Sequence, residues 1–285
     1  MKHSGKSVPR EPDRGSLRRG WTTGTCAAAA SRAAAEALFG GRFPDVADVT
    51  LPNGTRVSFP LAYREKGEGW AKAGVVKDAG DDPDVTHGAL IAARLSRLPD
   101  GSGVRFKAGE GVGTVTRAGL PVPPGEPAIN PVPRAMIARA IAEAARVCDD
   151  RPDVLVEISV PGGEKLARKT LNGRLGIVGG LSILGTSGIV VPYSCAAWID
   201  TVHRGIDVAR SAGLTHIAGA TGSVSEAAAA RRYSLPEVAL IEMGDFVGAM
   251  LKYLRTHPVQ RVTIAGGFAK LSKLAAGRLD LHSKR

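Results

Sequence analysis

Beyond about residue 150 the chain alternates short apolar runs with helical stretches, and the runs end in loops of glycine and small polar residues. Val154–Val160 reads as a strand, and the apolar segment 175–184 contains another. A helix over 194–212 follows, then strands His216–Ala220, Val238–Ile241 and Arg261–Ala265. Helices are expected from Val224, over 245–256, and after Gly267. Such alternation confines the chain to parallel βαβ units. Residues 151–285 are therefore expected to form an α/β, Rossmann-like, mainly parallel domain.

The first half has a different rhythm. A helix is expected over Thr25–Phe39, stopped by Gly40-Gly41, and a second over Pro131–Cys148 with proline in its first turn. Asn53-Gly54 between alternating apolar residues signals a hairpin over 49–59. Strands are expected at 70–77, 88–97, 103–107 and 112–117. This predicts an α+β domain over 19–150, preceded by a disordered basic arm at 1–18. The 285 residues suffice for two domains at roughly 100–200 residues each.

The formal net charge of +11 suits an acidic ligand, although part of it lies in the two tails. Aromatic residues make up 5%, too few for the stacking by which single-stranded nucleic acid is usually held, so no nucleic-acid partner is expected. Cys26, Cys148 and Cys195 stand far apart, which predicts neither a disulfide framework nor a zinc site and fits a reducing cytoplasm. Leu175–Ile199 carries no charge, but its glycines and Pro192 predict a strand, a loop and a helix start rather than a membrane span. The first twenty residues have no apolar core, so no signal peptide is expected.

Two groups of residues point to chemistry. The loops Gly185-Thr186-Ser187-Gly188, Gly219–Ser223, Glu242-Met243-Gly244-Asp245 and Gly266-Gly267 are expected at the carboxyl ends of strands, where α/β sheets bind ligands. Glycines there admit a ligand to backbone N–H groups, and an acid such as Glu242 accepts hydrogen bonds from a ribose diol. The set fits a nucleoside-containing cofactor; the alternative is four tight βα turns. The second group is the turn from Asp78 to Gly88, where Asp78, Asp81, Asp82, Asp84 and His87 crowd together. Crowded acids suit general acid–base work. A solvated acidic turn is the alternative, and the spacing of a calcium loop is absent.

Several of these stretches together resemble the CbiD family, the cobalt-precorrin-5B C-1 methyltransferases of cobalamin biosynthesis. They are Thr22–Ala29, Lys77–Gly88, Gly109–Gly113, Arg174–Gly180 and Ile183–Val190. The resemblance runs from about Arg18 to the last residue. It implies transfer of a methyl group from S-adenosylmethionine to ring carbon C-1 of a cobalt corrinoid, with cobalt arriving only within the substrate. Gly185, Thr186, Ser187 and Gly188 would then hold the methionine end, and Glu242 the ribose, with Gly244, Asp245, Gly266 and Gly267 beside them. Asp81 or Asp82 would handle a proton, with Asp78 and His87 in the same turn. The polycarboxylate substrate would lie against Thr22, Thr23, Gly24 and Thr25 at the start of a helix, and His282 joins this set. Asn172-Gly173-Arg174 stands where the family often has Asn-Pro-Arg, and many members continue beyond the position of Arg285. The rival from another class is a non-enzymatic basic protein that binds acidic ligands or RNA.

Overall fold

A computed structural model describes residues 17–282. The expected basic arm lies outside the described residues up to position 16. Its last member, Arg18, is built into the structure: its backbone N–H donates to Asp81 at 2.6 Å, and its guanidinium pairs with Asp78.

The short strand β1 (Gly20–Trp21) leads into helix α1 (Thr23–Gly40). Eight of the helix's residues are alanine, and nearly every face of it is buried. Small side chains let its backbone come close to several neighbours at once. Its N-cap is Thr22, whose side chain accepts from the Thr25 N–H at 3.2 Å. Gly41 closes the other end in the left-handed conformation and bonds back to Ala37.

The hairpin follows as β2 (Val46–Thr50) and β3 (Arg56–Pro60), then β4 (Tyr63–Gly67), β5 (Trp70–Val76), β6 (Leu90–Arg97), β7 (Val104–Ala108) and the two-residue β8 (Thr114–Val115). After α2 (Pro131–Val147) comes β9 (Val154–Ser159), expected to open a separate parallel unit. Instead β9 completes a five-stranded sheet of order β4-β5-β6-β9-β7, antiparallel to β6 and parallel to β7. Its alternating burial serves this sheet as well as it would another. Helix α1 packs on β5, β6 and α2.

The first core therefore continues past residue 150. Helix α3 (Gly163–Ala167) and strand β10 (Ile177–Val178) follow; β10, the strand expected within 175–184, pairs with β8, and the strand expected at 112–117 contracts to two residues. Strand β11 (Ile189–Val190) returns to pair with β1. A second core then forms around Val202, Ile206, Ile217, Met243 and Met250. It is built from α4 (Cys195–Ser211), β12 (His216–Ala220), α5 (Ser223–Tyr233), β13 (Leu240–Glu242), α6 (Val247–Leu254), β14 (Arg261–Ala265) and α7 (Phe268–Ala275). Its three strands are parallel, in the order β13-β12-β14. The chain is thus a mixed α/β fold, and among the described residues no helix is long and apolar enough to cross a membrane.

Candidate active site

A cleft of about 1240 Å³ opens between the two cores. One wall comes from the first core: Thr22 and Thr23, residues 84–86, and the loop from Ala167 to Ser182. The other comes from Trp198 to Arg204 on α4, Glu237, and Glu242 at the carboxyl end of β13. Arg174 reaches from the first wall to the second. Its guanidinium makes a bidentate pair with Glu226 of α5 at 2.8 and 2.6 Å and a further contact with Glu237 at 3.3 Å. Planar guanidinium suits that fork geometry, so Arg174 ties the walls at a fixed separation.

The threonine-rich helix start is largely spent on the protein itself. Thr25 Oγ1 donates to the Gly188 carbonyl at 2.7 Å, and the Gly24 N–H donates to the Leu184 carbonyl at 2.9 Å. The Leu184 N–H donates to Thr23 Oγ1 at 3.0 Å. A Cβ on Gly185, whose φ is +132°, would overlap the Thr22 side chain. The loop Gly185-Thr186-Ser187-Gly188, expected to hold a cofactor at the end of a parallel strand, docks on α1 instead. Only its flanks, Leu184 and Val190, line the cleft. Thr22 and Thr23 reach the cleft wall; Gly24 and Thr25 do not.

The acidic turn is likewise a set of satisfied pairs. Hydrogen bonds from Arg18, and then from the Gly80 N–H, hold the Asp78 carboxyl down at about 2. Asp81 accepts from the Arg18 backbone, and Asp82 accepts from the Tyr193 N–H at 2.8 Å. His87 Nδ1 lies 3.8 Å from Asp78 but accepts the Ala79 N–H at 3.1 Å, which requires that nitrogen to be unprotonated. Among the described residues, none of Asp78, Asp81, Asp82 and His87 lines the cleft; Asp84 does. Asp84 accepts from the Lys77 ammonium at 2.7 Å, from the Thr86 N–H at 2.8 Å and from its hydroxyl at 2.6 Å. Burial pushes the Asp84 carboxyl up, but the bonds from Lys77 and Thr86 and the ammonium's charge outweigh it, and the group sits below its ordinary value. Asp81→Asn and Asp82→Asn should each cost about 1 kcal/mol or less, the worth of one exposed hydrogen bond, with turnover at the parent's rate. Chemical denaturation beside a rate measurement checks this, and a collapse of turnover in a stably folded variant would return the proton chemistry to the turn.

Of the residues expected beyond residue 240, Glu242 alone faces the cleft. Its backbone carbonyl accepts the Trp198 indole N–H at 3.2 Å, while its carboxylate has no hydrogen bond or ion pair among the described residues. Asp245 pairs with Lys270, its carbonyl accepts the Leu281 N–H, and the Lys273 ammonium meets the His282 carbonyl. Gly266 packs against Thr221, and Gly267 caps α7. Asp245, Gly266, Gly267 and His282 thus brace the second unit away from the cleft, while Gly244 lies behind the Trp198 indole without lining it. Trp198, Arg168 and Lys169 are among the cleft residues that carried no motif. Both cations are exposed on the first wall without an ion-pair partner among the described residues. No cluster of three or more His, Cys, Asp or Glu among the described residues is arranged to hold a metal ion.

The family model described as CbiD matches residues 10–192, which is most of the first unit. A cobalt-precorrin-5B C(1)-methyltransferase of Bradyrhizobium sp. (strain BTAi1) is 68% identical over 94% of this chain and 71% of its own length. A protein of the same name from Agrobacterium fabrum is 66% identical over 96% of this chain and 72% of its own. Among solved structures, the cobalamin biosynthesis protein CbiD of Archaeoglobus fulgidus matches with a TM-score of 0.51 and 31% identity. That match covers 94% of this chain and 83% of the solved one.

Proposed function

This chain belongs to the CbiD family, and from that membership we propose that it methylates cobalt-precorrin-5B at C-1 with S-adenosylmethionine as donor. The observation that carries the reading is the cleft. At about 1240 Å³ it exceeds the roughly 300–1,000 Å³ of ordinary small-molecule pockets and suits a macrocycle beside a nucleoside. Its free charges are also sorted. The first wall carries Arg168 and Lys169, with Glu164 their one free acid; the second carries the unpaired Glu242. A polycarboxylate ring favours the first wall, and a cationic sulfonium the second.

In the reaction the S–CH3 bond breaks with its electron pair left on sulfur, while a ring electron pair forms the new C–C bond. S-adenosylhomocysteine leaves with sulfur neutral. The protein's part is to align the two partners across the cleft, where positioning supplies much of the rate. Arg174 fixes the separation of the walls. Asp84, kept ionised by Lys77, is the carboxylate of the acidic turn available to positive charge arising in the cleft. On this reading the donor belongs to the α/β unit after Val190 and the ring to the first unit.

The test is incubation with methyl-labelled S-adenosylmethionine and cobalt-precorrin-5B, read as label gained by the corrinoid. Absence of transfer from a folded chain that binds both ligands overturns the reading. Arg168→Ala with Lys169→Ala should raise KM for the corrinoid roughly tenfold, ~1.4 kcal/mol shared by two exposed contacts, with kcat and donor affinity little changed. High salt should shrink the difference. An unchanged KM at low salt removes these two residues from the substrate's side of the cleft.

A further inference from the structure

The geometry points to Trp198 as the platform on which the adenine ring of the methyl donor stacks. This rests on the methyltransferase reading above and assigns a residue outside the motifs that carry the family resemblance.

Trp198 lies in the first turn of α4 and is 43% exposed, although it stands in the wall of a deep cleft. The other two tryptophans have covered faces. Trp21 packs edge-on against Phe59, and the Arg94 guanidinium lies 4.2 Å from the centre of the Trp70 ring. No aromatic or cationic partner among the described residues covers Trp198. Its ring is nevertheless held. The indole N–H donates to the Glu242 carbonyl, and Gly244 lies beside the ring, where a Cβ would be in ordinary contact with it at 3.5 Å from the indole nitrogen. An open aromatic face with a fixed edge is a rigid surface for a flat ligand, and ordering it costs little entropy on binding.

The neighbours say which flat ligand. The Glu242 carboxylate lines the same cleft at the carboxyl end of β13, where parallel sheets receive nucleosides. A purine on the indole brings its ribose diol toward that carboxylate, which accepts two hydroxyl donors well. Asp200 and Glu237 on the same wall are paired with Arg204 and Arg174, which leaves the Glu242 carboxylate as its free charge. That wall repels a ring fringed with carboxylates and favours a donor that carries a positive sulfonium. The corrin macrocycle, also flat, is thereby directed to the opposite wall.

S-adenosylhomocysteine and methylthioadenosine are the test ligands, since neither requires the corrinoid. In calorimetry, Trp198→Leu should weaken both by about tenfold or more, in line with the worth of base–aromatic stacking. Trp198→Phe keeps a ring face and should stay within a few-fold of the parent. Either ligand should quench indole emission in the parent chain and leave the emission of Trp198→Phe unchanged, a measurement that holds even if the Leu variant folds poorly. Parent-like affinity in a folded Trp198→Leu variant, or equal quenching in Trp198→Phe, overturns the proposal. A raised corrinoid KM with unchanged S-adenosylhomocysteine affinity also overturns it, by giving the ring to the macrocycle. If the parent itself binds neither ligand, the methyltransferase reading fails instead.

Discussion

Asp84→Asn is expected to lower the free energy of unfolding by about 3 kcal/mol, the lower end of what breaking a buried ion pair costs. Its partner Lys77 is 1% exposed, so the variant leaves a full ammonium charge inside the protein with a neutral amide for company. Lys77→Met added to Asp84→Asn should recover most of the loss, because it removes the stranded charge while keeping an unbranched apolar stem. Urea denaturation of the parent, the single variant and the double variant checks this as a cycle. A single variant as stable as the parent would mean that water reaches the ammonium. The pair also sets a pH dependence. The Asp84 carboxyl sits below its ordinary value in the folded protein, so its contribution is fully present above about pH 4 and is lost as pH falls through the folded-state value. Asp84→Asn should flatten that acid limb of the stability curve.

Gly111→Ala should be at least as damaging, at about 3 kcal/mol or more, and should drive much of the protein into the insoluble fraction. Gly111 has a φ of +71°, and a Cβ there would overlap the Val160 carbonyl and stand 2.8 Å from the Gly163 nitrogen. A Cβ on Gly163 or on Gly180 would in turn meet the Gly111 backbone at 2.3 Å, so no neighbour can retreat without moving backbone. The Leu181 N–H bonds to the Gly111 carbonyl at 2.9 Å and ties the same crossing to the wall of the cleft. Gly54→Ala is the control. Its φ of +87° is as unfavourable to alanine, but nothing lies within 4 Å. It should cost about 1–2 kcal/mol, the backbone conformation alone. Equal melting temperatures for the two variants would show that the crossing relaxes.

Periodicity fixed most of the elements. His216–Ala220 and Arg261–Ala265 were legible to the residue, because apolar runs bounded by turn residues leave little freedom. Strand β4 was not legible: Tyr63–Gly67 is an edge strand whose five residues all face solvent, so no alternation marks it. The membership of β9 was not legible either, since a buried strand reads the same whichever sheet receives it. The site divided along the same line. That a helix would start near Thr25 is a local fact and could be read; that Leu184 and Gly188 would occupy its first donors is a contact across some 160 residues and could not. The acidic turn shows its charges but not its counter-charges in the sequence, because Arg18 reads as part of a tail and Lys77 carries no sign of burial. Trp198 stood in an amphipathic helix like any other apolar residue; only its place beside Glu242 distinguishes it.

The pairing of Trp21 with Ile189 has a consequence for synthesis. Helix α1 leaves the ribosome well ahead of its partners: the carbonyls that satisfy its first turn and the strand that closes over β1 follow some 160–170 residues later. At about 5–20 residues per second, an alanine-rich helix with no solvent face of its own waits on the order of ten to thirty seconds for its partners. During that interval α2 and the strands β5 and β6 are the available cover, and they emerge before the last donors are met. The nascent chain should therefore hold a compact, protease-resistant body once β9 has emerged, while Thr22 to Thr25 remain open to amide exchange until residue 190 clears the exit tunnel.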